Sequence, residues 1–447
     1  MRSARALVAA CVAAVVVLAG VVLPAAAEPG AAVTGTLLGD GFYPRAVRLT
    51  HAGAQDGTVL ATIDDGADGF VYRSTDGGRT FELLSTIDPG PDAVGLCCIE
   101  LFELPTQLGA FPAGTLLWAG SVTTDVGPPR QMDLRIWRSD DHGVTWVPHG
   151  SCGSAAAGLW EPFFLVTDAG ELACHFSDEG QQPAHSQRLV QAVSTDGGVT
   201  FSAPEPVVQL PLAFTRPGMP TAAKLPDGSW LLTYEICAWV PNCVVYARRS
   251  DDGRHWGDPA DPGEQVEVEG GDVLTHTPVV SWSPYGGADG TLILSGQILL
   301  DADLAPAPGN GRTLLINRSG GFGPWERITA PVEIDAPYDN FCPNYSSPVL
   351  PLDGDAVLEL ASAWDGGVCR TFHALGTLPP PGSPPTTATT AVAPAAWAVP
   401  GGGIAVSADL HRVTGRRHRA QDQAASTSAV EGNVAISDSV LSSTAWA

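Results

Sequence analysis

Positive charge is scarce in this chain: 23 lysines and arginines stand against 48 aspartates and glutamates, a formal net charge of −25 over 447 residues. Such a surface repels nucleic acid and anionic bilayers. It also suits polyanionic ligands poorly, unless one local basic pocket serves them. Cysteine spacing of the C-x2-C kind is missing, which argues against a structural zinc. No helical periodicity is sustained, and after residue 27 no segment is long and apolar enough to cross a bilayer. These gaps leave a soluble, strand-rich protein with no need of a cofactor or metal.

What the chain does have is repetition. STDGGRTF (Ser74–Phe81), SDDHGVTW (Ser139–Trp146) and STDGGVTF (Ser194–Phe201) are near copies, and SDDGRHW (Ser250–Trp256) is a shortened fourth. Their starts lie 65, 55 and 56 residues apart, a period that marks an array of one supersecondary unit. Glycine supplies positive φ in a tight turn, while Asp and Ser side chains bond nearby amides. Alternating apolar residues precede each copy and an aromatic follows, which reads as a hairpin folding its aromatic back onto the layer beneath. The pattern resembles the Asp box of sialidase-like propellers, a fastener common to enzymes and binding proteins.

Residues 1–27 read as a secretory leader: Arg2 and Arg5, an apolar run from Ala6 to Leu23, then small residues before Glu28. An uncleaved anchor is the alternative reading of that run. Eight cysteines follow the leader, an even number that implies disulfides in an exported protein. Cys237 with Cys243, Cys152 with Cys174, and Cys342 with Cys369 are compatible pairings. Residues 378–400, rich in Pro, Ala and Thr, read as an extended linker, and 401–447 as a low-complexity tail with no function assigned. Asn317 and Asn344 fit the glycosylation sequon.

Between them, residues 28–377 alternate short β-branched or aromatic runs with Gly/Asp/Pro turns. The expectation is an all-β fold, a six-bladed β-propeller with blades near 40–90, 97–150, 157–205, 213–260, 272–328 and 343–376, the last closed by a strand near Val33–Leu38. INRSGGFGPW (Ile316–Trp325) holds the turn position of the fifth blade. In such a ring all inner strands start on one face, and second strands end there, while the repeated turns lie opposite. The mouth would therefore collect Tyr43, Arg45, Trp160, Glu161, Arg216, His276, Thr277 and Tyr345 from inner-strand heads, and Asp64, Asp65, Ser177, Asp178, Glu179, Tyr234 and Glu235 from second-strand ends. Asp64, Asp65 and Asp68 read as an acidic turn in preference to a calcium site.

Glu161 and Glu235 are the two carboxylates of interest. Each stands at the end of an apolar strand beside aromatics, where burial raises a carboxyl pKa as a general acid requires. A second carboxylate kept ionised can attack an anomeric carbon. The competing reading for each is a structural ion pair with an inner-face arginine. Trp160, Trp239, Tyr43 and Phe341 are possible sugar platforms or plain packing, and His276 is a sugar-hydroxyl partner or a satisfied structural histidine.

Five segments carry a family resemblance: Gly95–Pro105, GTLLWAGS (Gly114–Ser121), LWEPFF through CHFSDE (Leu159–Glu179), RPGMPTAAKLPDGSWLLTYE (Arg216–Glu235) and CPNYSSPVLPL (Cys342–Leu352). Over residues 40–375 or so the chain resembles the exo-α-1,5-L-arabinanases of glycoside hydrolase family 93. That resemblance implies a six-bladed propeller of the sialidase superfamily that releases arabinobiose from arabinan ends with retention. It implies Glu161 as acid/base, Glu235 as nucleophile, and Tyr345, or else Tyr338, assisting the nucleophile. The remaining expected contacts to an oligosaccharide are Tyr43, Arg45, Trp160, Asp178, Glu179, Arg216, Tyr234, Trp239, His276 and Tyr338. A monomer free of nucleic acid and, once the leader is cut, of membrane is expected. Two rivals stand beside this reading. A sialidase would need an arginine triad (Arg45, Arg216 and Arg312 or Arg318), and Tyr43-Pro44-Arg45-Ala46 lacks its arginine-isoleucine-proline pattern. A non-catalytic carbohydrate-binding propeller would bind sugar without cleaving it.

Overall fold

A computed structural model describes residues 33–239, 242–335 and 337–383; the expected leader and tail, and the linker beyond residue 383, lie outside the described residues. Six antiparallel sheets form a six-bladed β-propeller, and among the described residues the one helical element is the short 3-10 turn Gly53–Gln55. Blade 1 pairs Phe42–Arg48, Val59–Asp64, Gly69–Ser74 and Glu82–Ile87 in order. Blade 2 runs from Gly95–Glu103 to Val147–Ala155, and blade 3 from Leu159–Val166 to Glu205–Val208. Blade 4 uses Arg216–Lys224, Trp230–Cys237 and Val244–Ser250, with only the two-residue Glu264–Gln265 beyond. Blade 5 is built on Val279–Ser283, and blade 6 on Val349–Pro351, Ala356–Asp365 and Val368–Thr377. The fourth strand of blade 6 is Thr36–Asp40, so the start of the ring closes its end.

One boundary differs from expectation. Blade 5 was expected from residue 272, but Val273–Thr275 pairs with Val244 of blade 4 and with the arm Ile298–Leu300. His276 and Thr277 have positive φ (59° and 46°) and Pro278 has no amide hydrogen, so the strand is cut there and restarts at Val279. At the other end, Leu378 is buried and its amide donates to Asp355 O, so packing runs into the stretch expected to be linker.

The repeated turns join third strands to fourth strands. In the first, Ser74 Oγ donates to Asp76 Oδ1 at 2.8 Å and accepts from Gly78 N, while Thr80 Oγ1 donates to Asp76 Oδ2 at 2.6 Å. The same bonds recur at Ser139/Asp141/Thr145 and Ser194/Asp196/Thr200. In the shortened copy His255 Nδ1 replaces the threonine, 2.7 Å from Asp252 Oδ2. In the fifth, Asn317 Oδ1 accepts from Ser319 N and Gly321 N. The aromatic after each turn wedges against the preceding blade: Phe81 meets His373, Trp146 Nε1 donates to Ser85 Oγ, and Trp256 meets His175. Gly78, Gly143 and Gly198 have φ of 83°, 88° and 94°, the left-handed region where only glycine is free of a Cβ penalty. Neither sequon asparagine has a free amide: Asn317 donates to Phe322 O and Asn344 to Gly296 O and Gln297 O.

The opposite face is built on a different device. A non-glycine residue at positive φ lies in or just before the head of every inner strand: Tyr43 (53°), Cys98 (60°), Glu161 (63°), Met219 (56°), Thr277 (46°) and Ser346 (56°). In blades 1 to 4 the strand register jumps there, as in a β-bulge. Each such residue costs on the order of 1–2 kcal/mol. Part of that cost is offset because the swung-out amide finds a side chain on the preceding blade. Glu161 N donates to Ser121 Oγ, Met219 N to Glu161 Oε2, Thr277 N to Glu235 Oε2, and Ser346 N to Thr277 Oγ1. Blade-to-blade packing of fully buried side chains such as Trp118, Phe164 and Phe176 stabilises the ring more, by roughly 1.5–3 kcal/mol each.

Candidate active site

Glu161 heads the inner strand of blade 3. Its Oε2 accepts from Ser177 Oγ at 2.5 Å and from Met219 N at 2.8 Å, which leaves Oε1 free of those donors. Glu235 ends the second strand of blade 4, where its Oε2 accepts from Thr277 N at 2.8 Å. Gly218 links the two. It lies directly across the ladder from Glu235, and a Cβ built on it would stand 3.3 Å from Glu161 Oε2, 2.7 Å from Ser177 Oγ and 2.4 Å from Gln187 Nε2. Residues paired across a ladder point to one face with Cβ atoms about 4.5–5.5 Å apart. Glu161 therefore fills the gap that glycine leaves on the face Glu235 uses. A side chain at 218 would displace Gln187 and Ser177 and press on the Glu161 carboxylate.

Their ionisation is coupled. Burial pushes the Glu161 carboxyl up, opposed by the donors Ser177 and Met219 N. Burial pushes Glu235 up to about 8, and the charge of Glu161 is the next cause. Two carboxyls that interact in this way titrate as a pair. With Glu235 raised to about 8, a proton stays on the pair at neutral pH.

Tyr345 completes the group. Burial raises its hydroxyl well above the ordinary tyrosine range, and the charges of Glu161 and Glu235 raise it further, so the phenol stays protonated among carboxylates. Its ring lies 6.0 Å from that of Tyr43, whose hydroxyl reaches Met219 Sδ at 3.9 Å. Tyr43 is buried and carries the Arg45 guanidinium 4.5 Å from its ring centre. Arg45, expected among the substrate contacts, is buried as well: it pairs with Glu100 at 3.1 Å and donates to Pro44 O and Ser346 O. Burial raises Glu100 to about 7 against the pull of Arg45.

The rim groups fall into two sets. Arg216 is a third exposed, pairs with Glu179, and donates to Ser186 Oγ and Gln187 Oε1. Trp160 is part-buried with the Arg130 guanidinium 5.1 Å above its ring. His276 Nδ1 lies 3.9 Å from both Glu235 Oε2 and Asp339 Oδ1. Tyr338 is exposed, and Trp239 part-buried against the blade 3–4 core. In the second set the polar groups are already engaged within the protein. Asp178, buried, pairs with Arg188 and accepts from Gly180 N. Tyr234, expected at the mouth, is fully buried, donating to Pro262 O and accepting from Arg248. Adjacent strand residues face opposite ways, so Tyr234 cannot share the side of Glu235. Asp65 Oδ1 caps its own turn at Ala67 N and Asp68 N.

Sequence reasoning placed Ser177 and Thr277 at the mouth without a role, and missed Asp339 and the cystine at Cys237–Cys243 as neighbours of the carboxylates. The contact of Ser177 with Glu161 was legible in principle: Ser177 holds, at its second-strand end, the position Glu235 holds one blade on. All eight cysteines after the leader are paired, and the one pair not foreseen joins the adjacent Cys97 and Cys98 at the head of blade 2.

No sequence-family profile matches the chain, and no curated protein matches it in sequence. Solved structures do match. An alpha-L-arabinanase from Penicillium chrysogenum, complexed with arabinobiose, superposes with a TM-score of 0.64 at 25% identity, over 78% of this chain and 99% of that one. A family 93 alpha-L-arabinofuranosidase from Fusarium graminearum, also with arabinobiose, gives 0.61 at 24%, over 76% and 93%. A Hadza microbial sialidase shares the fold at 0.51 and 15%, over 75% of this chain and 65% of that one. The likeness first carried by segments such as RPGMP and CPNYSS thus extends through three dimensions, and the chain resembles the exo-α-1,5-L-arabinanases of glycoside hydrolase family 93.

Proposed function

We propose that this protein is an exported, retaining, exo-acting glycoside hydrolase that releases arabinobiose from α-1,5-L-arabinan. The observation that carries the reading is the pairing of Glu161 and Glu235 across Gly218 at one mouth, with the protonated hydroxyl of Tyr345 under the charge of both. The likeness to two arabinobiose-bound structures supports the substrate class. In this mechanism Glu161 protonates the glycosidic oxygen as Glu235 attacks the anomeric carbon to form a covalent arabinosyl ester. Glu161 then takes a proton from water, which hydrolyses the ester. Tyr345 donates toward Glu235 and steadies its charge. The four disulfides fit an oxidising compartment.

The exchanged assignment, Glu235 as acid and Glu161 as nucleophile, draws on one observation. In the free protein Glu161 accepts two donors through one oxygen while Glu235 is pushed up to about 8, so the shared proton favours Glu235. An activated arabinoside that forms a slowly hydrolysed ester, followed by peptide mass spectrometry, decides: label on Glu235 supports the first assignment, label on Glu161 the second. Chromatography of products from linear arabinan tests the activity itself. Arabinobiose as the sole early product is expected; free sialic acid from a sialyl substrate, or binding without cleavage, overturns the proposal. Either assignment needs one proton on the pair, so kcat/KM falls as pH rises past about 8, where the last one is lost.

A further inference from the structure

The loop after Glu235 closes on itself through the Cys237–Cys243 disulfide, beside the proposed nucleophile. Cys237 Sγ lies 3.5 Å from Glu235 Oε1, and His276 Nδ1 lies 3.9 Å from Glu235 Oε2. One donor atom each from Glu235, Cys237, Cys243 and His276 falls within 4.8 Å of all the others. Two sulfurs, an imidazole nitrogen and a carboxylate oxygen form a zinc-type donor set. With bonds of about 2.0–2.3 Å, donors around tetrahedral zinc stand roughly 3.3–3.8 Å apart. The cluster is therefore within small side-chain shifts of that geometry. Asp339, 3.9 Å from His276 Nδ1, adds negative charge facing the same spot. In the oxidised protein neither sulfur can become a thiolate, so the disulfide keeps the set from ligating.

We propose that Cys237–Cys243 gates an inhibitory zinc site: once a dithiol reduces this bond, Zn²⁺ binds Cys237, Cys243, His276 and Glu235 and disables the nucleophile. The dithiol supplies two electrons and two protons, its sulfurs closing into a disulfide while Cys237 and Cys243 become thiols. Metal binding then releases the two thiol protons to solvent. Access favours this bond over the other three. Cys237 and Cys243 are both part-exposed, whereas each other pair has at least one buried member among Cys98, Cys152, Cys174, Cys342 and Cys369. A carboxylate held on zinc cannot attack a sugar, so the metal blocks hydrolysis without occluding the mouth. The inhibitory part rests on Glu235 being essential to the chemistry; the binding part does not.

The experiment takes the full-length protein through brief dithiol treatment and anaerobic desalting, with two free thiols per chain confirmed by titration. Added Co²⁺ should give thiolate-to-cobalt charge-transfer absorption that Zn²⁺ displaces. The oxidised protein and the Cys237→Ser/Cys243→Ser variant should give none. Zn²⁺ should then lower arabinan turnover of the reduced form by about tenfold or more, reversed by a chelator, and leave the oxidised form unchanged. Absent charge-transfer absorption, its persistence in the serine variant, or equal inhibition of both redox forms overturns the proposal. The cobalt spectrum needs no substrate. A normal spectrum from a protein inert on arabinan therefore removes the proposed activity and keeps the metal site.

Discussion

The two faces of this ring use side chains in opposite ways. On the far face one set of bonds is stamped out three times and echoed in two altered copies, so that Ser139, Asp141 and Thr145 do what Ser74, Asp76 and Thr80 do. On the mouth the backbone device is what recurs, a left-handed residue at each inner-strand head, while the side chains there are Tyr43, Cys98, Glu161, Met219, Thr277 and Ser346, all different. Repeated geometry with unrepeated chemistry is how a symmetric scaffold carries an asymmetric site. The contrast also separates stability from activity: substitutions on one face should spare what the other supplies.

The largest expected effect is at the mouth. Glu161→Gln should lower kcat by about 10²–10⁴, and Glu235→Gln by at least as much, with the melting temperature held or raised because each change takes an ionisable carboxyl out of a buried site. Steady-state kinetics on linear arabinan beside calorimetry checks both; a Gln variant that unfolds as it loses activity would break the separation. Next comes Arg45→Met, which strands Glu100 below the mouth. Breaking a buried pair costs about 3–5 kcal/mol, and Glu100 adds a pH signature. With Arg45 gone its carboxyl rises further above about 7, so the loss of stability should deepen as pH rises and the group is forced to ionise. Denaturant titrations at several pH values, with Arg45→Met/Glu100→Gln recovering much of the loss, read this out. The smallest effect belongs to the far face. Asp141→Ala removes the acceptor of one turn and should cost roughly 1 kcal/mol with kcat/KM unchanged. A matching drop in arabinan turnover would show that the faces are not independent.

The far face was readable because its chemistry is local: Ser, Asp, Gly and Thr within eight residues specify a turn whatever lies around it. The heads of the inner strands were readable too, since Tyr43-Pro44, Glu161-Pro162 and Met219-Pro220 interrupt apolar runs. What could not be read was which way individual side chains point once a bulge shifts the register. Tyr234 and Glu235 sat together in the sequence reading, yet one faces the core between blades 3 and 4 and the other the mouth. Arg45 looked like a ligand because its partner, Glu100, sits at the matching position one blade later, visible only when the two bulges are aligned. The arm Ile298–Leu300 was missed because it answers to no repeat and its strand partner is the short Val273–Thr275.

The outermost strand of blade 6 has a bearing on how the molecule is born. A ribosome delivers Thr36–Asp40 early and its partner Val368–Thr377 last among the described strands, so throughout their translation the first hairpins must wait beside an unclaimed hydrogen-bonding edge. Truncation anywhere before residue 377 would leave that vigil permanent, and the shortened polypeptide should aggregate.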